Sequence, residues 1–288
     1  MDSSRADNLE ALFGQAAGIA RDLWLNGWAE AGAGNFSLRI DLMQGAVEEL
    51  EDKGGSWIGL PSRTPSLGGA AILITAGGSR FRTMDRDPAG GMGLVVLDEE
   101  GERCRVMKGF EQGAEPSSEL RMHLEAQAAL IAARSGRERA VIHVHAPRLL
   151  TLSGFLGCTS ESLTRVLWGV HGECIALLPE GVEVLPWALP GSGSLARLTA
   201  EGLCRRRLLV WPYHGVVAAG RDLDEAFGLI ETGEKAAGLY LDAARYGGEP
   251  ELLDVPRLLE IAQAFGVEPD SAMMGYSFQT GSKRGKGR

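Results

Sequence analysis

The chain has 288 residues, 44% of them hydrophobic and 23% charged, with 29 Lys and Arg against 38 Asp and Glu for a formal charge of −9. That balance excludes a mostly disordered chain and makes a poor electrostatic partner for nucleic acid or an anionic membrane. The 40 glycines follow no G-X-Y period, which excludes collagen, and no apolar run approaches the ~18 residues of a spanning helix.

The acidic opening segment lacks the basic n-region and apolar h-region of a signal peptide. Cys104, Cys158, Cys174 and Cys204 include no C-x-x-C pair, so neither a disulfide scaffold nor a cysteine zinc cluster is expected. Buried free thiols in a reducing cytoplasm fit this usage.

Leu9, Leu12, Phe13, Ala16, Ala17, Ala20, Leu23 and Trp24 recur at helical spacing, with Asp7 or Asn8 as the expected cap. Ala31 to Gly34 stop that helix and open a strand over Asn35–Ile40. Residues 41–70, rich in Gly, Ser and Pro, read as a loop. Ala71–Thr75 reads as a short buried strand followed by a glycine loop at 76–79, and 93–98 as another strand with its turn at 98–101. A helix is expected from Pro116 or Ser117, with Leu120, Leu124, Ala128 and Ile131 on its apolar face. Residues 141–145 read as a strand, and Pro147 starts a short helix.

Further along, 174–178 and 182–185 read as strands around a Pro-Glu-Gly turn, and 195–207 as a helix. Leu208–Trp211 and 216–219 read as strands flanking Pro212-Tyr213-His214-Gly215. A long helix is expected over Leu223–Arg245 and a last one over Val255–Phe265. Strands and helices alternate without the βαβ rhythm of a doubly wound sheet. The expected fold is therefore α/β: a single three-layer α/β/α domain over 1–275 with a mixed, largely antiparallel central sheet. Residues 276–288 read as a basic, disordered tail.

The sharpest local signal is His143-Val144-His145. Strand side chains alternate faces, so both imidazoles point to one side, their Cα atoms ~7 Å apart. They can converge on one cation or bond carboxylates in a polar cleft. His214, at a strand end, is either a third ligand or an exposed turn residue. Glu119, after Pro116-Ser117-Ser118, is either a helix-dipole complement or an acid–base group beside an anion held by Ser117 and Ser118. Gly34-Asn35 and Gly77-Gly78-Ser79 are candidate anion loops. His123 reads as a helix residue and His171 as a turn residue.

Ordered blocks over about residues 23–272 carry a resemblance. They include Trp-Leu-Asn-Gly-Trp at 24–28, Gly34-Asn35, Pro116-Ser117-Ser118-Glu119-Leu120, His143-Val144-His145-Ala146 and Gly172-Glu173-Cys174. Leu185-Pro186-Trp187, Trp211-Pro212-Tyr213-His214-Gly215 and Asp224-Glu225-Ala226-Phe227-Gly228 complete the set. Together the chain resembles the metal-dependent class II sugar-phosphate aldolases and their epimerase relatives.

The resemblance implies one Zn²⁺ per subunit on His143, His145 and His214. It implies Glu119 as the catalytic carboxylate and Glu173 as a second acid supplied across a subunit boundary. It places Gly34, Asn35, Gly77, Gly78, Ser117 and Ser118 around the phosphate of a ketose 1-phosphate. The implied assembly is a homotetramer with active sites at subunit interfaces. The implied reaction is retro-aldol cleavage of L-rhamnulose 1-phosphate to dihydroxyacetone phosphate and L-lactaldehyde. Alternatives are an aldolase or epimerase of the same fold on an L-fuculose 1-phosphate or ribulose 5-phosphate type of substrate, or a non-catalytic oligomerisation module. Gly32 and Gly77 depart from the family, standing where related enzymes carry an Asn and a Ser.

Overall fold

The computed structural model describes residues 3–40, 56–155, 158–246 and 250–275. The 41–55 part of the expected loop and the basic tail at 276–288 lie outside them. Nine strands form one sheet: β1 Asn35–Ile40, β2 Ile58–Gly59, β3 Ala71–Thr75, β4 Met92–Leu97, β5 Arg103–Gly109, β6 Ala140–Val144, β7 Val182–Val184, β8 Leu208–Trp211 and β9 Gly215–Gly220. Their order is β2-β5-β4-β3-β1-β6-β9-β8-β7. Among the described residues only β7 and β8 pair in parallel, and the other pairings are antiparallel. The mixed, largely antiparallel sheet expected from the sequence is present.

Period-2 alternation sorts the central strands between two layers. Ala140, Ile142 and Val144 face one core with Leu208, Val210, Val216 and Ala218. Val141 faces the opposite core with Leu209, Trp211, Val217 and Ala219. Both faces are covered, which is why these strands read as continuous apolar runs. On the first face pack α1 (Ser3–Leu25), α4 (Pro147–Ser153), α5 (Ser160–Val170) and α8 (Leu223–Arg245). On the second, α3 (Leu120–Arg134) and α7 (Gly193–Leu203) pack against each other. The short α2 (Pro88–Gly91), α6 (Glu173–Leu177) and α10 (Ser271–Met274), with α9 (Val255–Phe265), complete the helices of the described residues.

Several expectations need correction. Residues 174–178 form no strand: Glu173–Leu177 is the one-turn helix α6, with Cys174 and Ile175 buried in the core. A short apolar run does not by itself distinguish the two. Helix α1 begins at Ser3, so Asp7 and Asn8 lie within its span and not at its start. Helix α3 begins at Leu120 with Glu119 at its N-cap, because Pro116 is held in a bridge to Ala76. Helix α7 stops at Leu203, and Arg205, Arg206 and Arg207 run out to Glu183 and Glu180.

The expected 41–70 loop contains β2 and a 3₁₀ turn at Pro65–Leu67. Strand β5 and helix α5 stand where no element was expected. Of the free thiols, Cys104 and Cys174 are buried, whereas Cys158 is partly buried and Cys204 exposed.

Candidate metal and active site

Three neighbouring strands, β1, β6 and β9, build the site. His143 lies on β6, directly opposite Asn35 of β1 on one side and Val217 of β9 on the other. Strand β6 ends at Val144, and His145 follows with its N–H on the carbonyl of Trp28, 2.8 Å away. The β8–β9 hairpin delivers His214 from the other side, its turn closed by the His214 N–H on the Trp211 carbonyl at 3.0 Å. Tyr213, beside it, is held in the left-handed region at φ 65°. Gly215 is required by space: a Cβ there would lie 2.6 Å from both His143 Cε1 and the Val144 carbonyl oxygen.

The imidazoles of His143, His145 and His214 converge, with one nitrogen of each within 4.8 Å of the others. Trp211 walls the cluster, its ring centroid 4.5 Å from that of His143 and stacked 5.0 Å from that of His214.

Tautomers follow from partners. His143 Nδ1 donates to the Val216 carbonyl at 3.0 Å, and His145 Nδ1 donates to Glu30 Oε1 at 2.7 Å. Each hydrogen bond leaves the Nε2 lone pair free, the arrangement in which an outer partner orients a metal-ligating histidine. His214 Nδ1 is buried and has no partner among the described residues. Burial, reinforced by His145, pushes His143 down to about 3. Burial, reinforced by His143, pushes His214 down to about 4. Both are neutral at pH 7, the form that binds a cation. The donor set therefore fits a divalent metal ion, and three protein ligands leave a coordination position open.

Glu119 completes the centre. Its Oε2 lies 3.8 Å from His143 Nε2 and accepts from Asn35 Nδ2 at 3.0 Å. Glu119 is the N-cap residue of α3 but makes no capping hydrogen bond with its side chain, which leaves the carboxylate to Asn35 and His143. The Ser117 hydroxyl accepts from the Glu119 N–H at 3.2 Å, and the Ser117 N–H bonds the Thr75 carbonyl at 2.9 Å. The Gly77 N–H bonds the Glu115 carbonyl at 2.9 Å, so the glycine loop and the start of α3 are tied together. Gly34 and Gly78 both have positive φ, 85° and 67°, which L side chains rarely adopt. The 31–34 loop meets the glycine loop at Gly32, where a Cβ would stand 3.1 Å from the Gly78 carbonyl oxygen. Ser118 and Glu119 line a small cleft with Gly191, Ser192 and Trp211.

The structure thus gathers His143, His145, His214, Glu119 and Asn35 into one centre, with Gly34, Gly77, Gly78, Ser117 and Ser118 in the adjoining loops. It does not bring Glu173 there. That side chain is 67% exposed, and its ion-pair partner is His171 at 3.6 Å. Two residues escaped sequence reasoning. Glu30 holds His145; its signal was only its place beside the block at 24–28. His123, read as an ordinary helix residue, is fully buried, with Nε2 2.7 Å from Asn35 Oδ1 and Nδ1 2.9 Å from Ser37 Oγ. The i, i+4 spacing from Glu119 was the usable signal, because it puts both on one helix face.

A layered sheet carrying three converging imidazoles and a carboxylate at its strand ends is the construction of a class II aldolase domain. Residues 15–241 match the family model described as Class II Aldolase and Adducin N-terminal domain, and the chain belongs to that family. It is 35% identical over 249 residues to the rhamnulose-1-phosphate aldolase of Enterobacter sp. (strain 638), covering 86% of this chain and 90% of that one. The rhamnulose-1-phosphate aldolase of Pectobacterium atrosepticum is 34% identical over 254 residues, covering 88% and 93%. The crystal structure of a sugar-phosphate aldolase from Thermotoga maritima superposes with a TM-score of 0.69 at 28% identity, over 84% of this chain and 99% of that chain.

Proposed function

We propose that the chain is a zinc-dependent lyase that cleaves L-rhamnulose 1-phosphate, reversibly, to dihydroxyacetone phosphate and L-lactaldehyde. The observation that carries this reading is the convergence of His143, His145 and His214 beside the buried carboxylate of Glu119. The identity to rhamnulose-1-phosphate aldolases over most of both chains supports the choice of sugar.

Breaking a C–C bond next to a carbonyl leaves negative charge on the ketose fragment. Zn²⁺ held by the three histidines supplies Lewis-acid stabilisation of that charge. Glu119, held by Asn35 Nδ2, is placed to carry the proton to and from the ketose carbon. Gly34, Asn35, Gly77, Gly78, Ser117 and Ser118 form the phosphate side, where backbone N–H groups and small hydroxyls replace arginine. No lysine lies among the site residues, and this route needs no Schiff base.

Glu173 handles the proton on the aldehyde oxygen at a neighbouring subunit's site. Its exposure, outside its own subunit's cluster of His143, His145 and His214, supports that role. The working form is a cytoplasmic homotetramer with sites at subunit interfaces. Residues 1–275 hold the catalytic domain, and a basic segment follows over 276–288. Among the described residues, no helix is long and apolar enough to cross a membrane.

A second reading keeps the fold and changes the sugar. Gly32 is closed over by Gly78, so this chain offers no side-chain donor where related enzymes carry an Asn. Another ketose phosphate, of the L-fuculose 1-phosphate type, would then be preferred.

The test is a coupled assay for dihydroxyacetone phosphate released from L-rhamnulose 1-phosphate, with chelator and zinc add-back. Release that stops with chelator and returns with zinc is expected. No release from protein shown to hold its metal would overturn the choice of sugar, and L-fuculose 1-phosphate assayed alongside decides the second reading.

A further inference from the structure

Five buried polar side chains form one unbroken chain behind the site: Gln127, Ser37, His123, Asn35 and Glu119. Gln127, Ser37 and His123 have no exposed surface, and Asn35 and Glu119 are 8% and 9% exposed. The direction of every hydrogen bond can be deduced from one end.

Gln127 Nε2 lies 2.7 Å from the Arg139 carbonyl oxygen, which can only accept. The amide is therefore fixed with its nitrogen on that side, since a flip would put oxygen against oxygen. The same nitrogen donates to Ser37 Oγ at 3.1 Å. The Ser37 hydroxyl is fully buried, and of its two partners Gln127 Nε2 can only donate, so its own proton goes to His123 Nδ1 at 2.9 Å. Burial pushes His123 down to about 3, so its ring is neutral and carries a single N–H. With Nδ1 accepting, that proton sits on Nε2, 2.7 Å from Asn35, which must turn its oxygen Oδ1 to receive it. Asn35 is left with only its NH₂ end for Glu119, at 3.0 Å.

We infer that Gln127, Ser37 and His123 are positioning residues that fix the polarity of the Asn35 amide, so that Glu119 always meets a donor and stays beside His143. The inference rests on the proposed role of Glu119 in the cleavage. Reversing the relay would aim Asn35 Oδ1 at the carboxylate. Two acceptors cannot share that contact, and Glu119 would leave its place 3.8 Å from His143 Nε2. Gln127, Ser37 and His123 make no hydrogen bond to the three histidines among the described residues, and only Glu119 at the far end approaches them, 3.8 Å from His143 Nε2, so the three bear on turnover rather than on metal loading.

The test joins a spectroscopic and a kinetic arm on the metal-loaded full chain. Ring nitrogen-15 shifts of histidine-labelled wild type should show His123 as the Nε2–H tautomer. Ser37→Ala, which removes the group that defines the tautomer, should mix or reverse it. The variant should lower kcat for L-rhamnulose 1-phosphate about ten- to a hundredfold, with zinc content unchanged and KM moved less than about twofold.

An Nδ1–H tautomer in wild type, or a Ser37→Ala enzyme with wild-type kcat, overturns the relay. If Ser37→Ala does not fold, the wild-type tautomer decides alone. A wild type that cleaves nothing sinks the proposed reaction instead, and the tautomer still decides whether the relay exists.

Discussion

Glu30 and His145 lie 115 residues apart in sequence and meet at 2.7 Å, Oε1 accepting from Nδ1. The carboxylate is 64% exposed while the imidazole is mostly covered, so the contact holds the ring from outside. Of the carboxylates in the structure, this one fixes which nitrogen of His145 faces the cluster. Glu30→Ala should weaken zinc binding about ten- to a hundredfold while leaving the fold intact. Zinc titration against a competing chelator measures this; an unchanged affinity would mean that His145 orients itself.

The three histidines should behave as a unit. His143→Ala, His145→Ala or His214→Ala should each strip the metal and abolish cleavage, as read by metal analysis of purified protein and by the coupled assay. Full metal content with normal turnover in any of the three would remove that residue from the centre.

Glu119→Gln should separate binding from chemistry. The amide keeps the volume, and metal content should stay near wild type. Turnover should fall by about 10²–10⁴, the usual contribution of a positioned acid–base group. Normal turnover would assign the proton transfer elsewhere.

Gly215→Ala tests the close approach of the β8–β9 hairpin. The new methyl would meet both the His143 ring and the Val144 carbonyl at 2.6 Å. Thermal unfolding should show a loss of about 1–3 kcal/mol, the usual cost of overpacking a filled site. Metal affinity should fall with it, because the displaced ring belongs to the cluster of His143, His145 and His214.

Glu234 offers a pH dependence away from the histidines. Its buried carboxylate accepts from the N–H groups of Arg148 and Leu149, at the start of α4. Burial outweighs those bonds and raises its pKa. A raised acid favours folding below its unfolded value, near ~4.3, and that contribution is lost as pH rises through the folded value. Glu234→Gln should therefore gain thermal stability relative to wild type between pH 4 and pH 8. Melting both proteins across that range measures it; a difference that is flat or falls with pH contradicts the argument.

Much of the centre was legible because it follows local rules. His143 and His145 share a face through the period of a strand, and His214 marks a turn between two apolar runs. What stayed hidden depends on distance in the chain. Nothing near Glu30 announces His145, and nothing near His123 announces Asn35, 88 residues away. Strand β5 was missed for a different reason. Its Arg103, Arg105 and Lys108 interrupt the apolar residues, so it lacks the apolar run that revealed β3 and β4. The strand expected at 174–178 failed because Cys174 and Ile175 bury equally well from a single helical turn.

Trp211 carries a consequence for measurement. Its indole is locked by a hydrogen bond from Nε1 to Thr199 Oγ1 at 3.0 Å and lies against the rings of His143 and His214. A change in charge at those imidazoles alters the field on the indole directly. The protein thus contains its own optical reporter of metal loading, readable as a shift in emission without any label, and Trp211→Phe is the control that silences it.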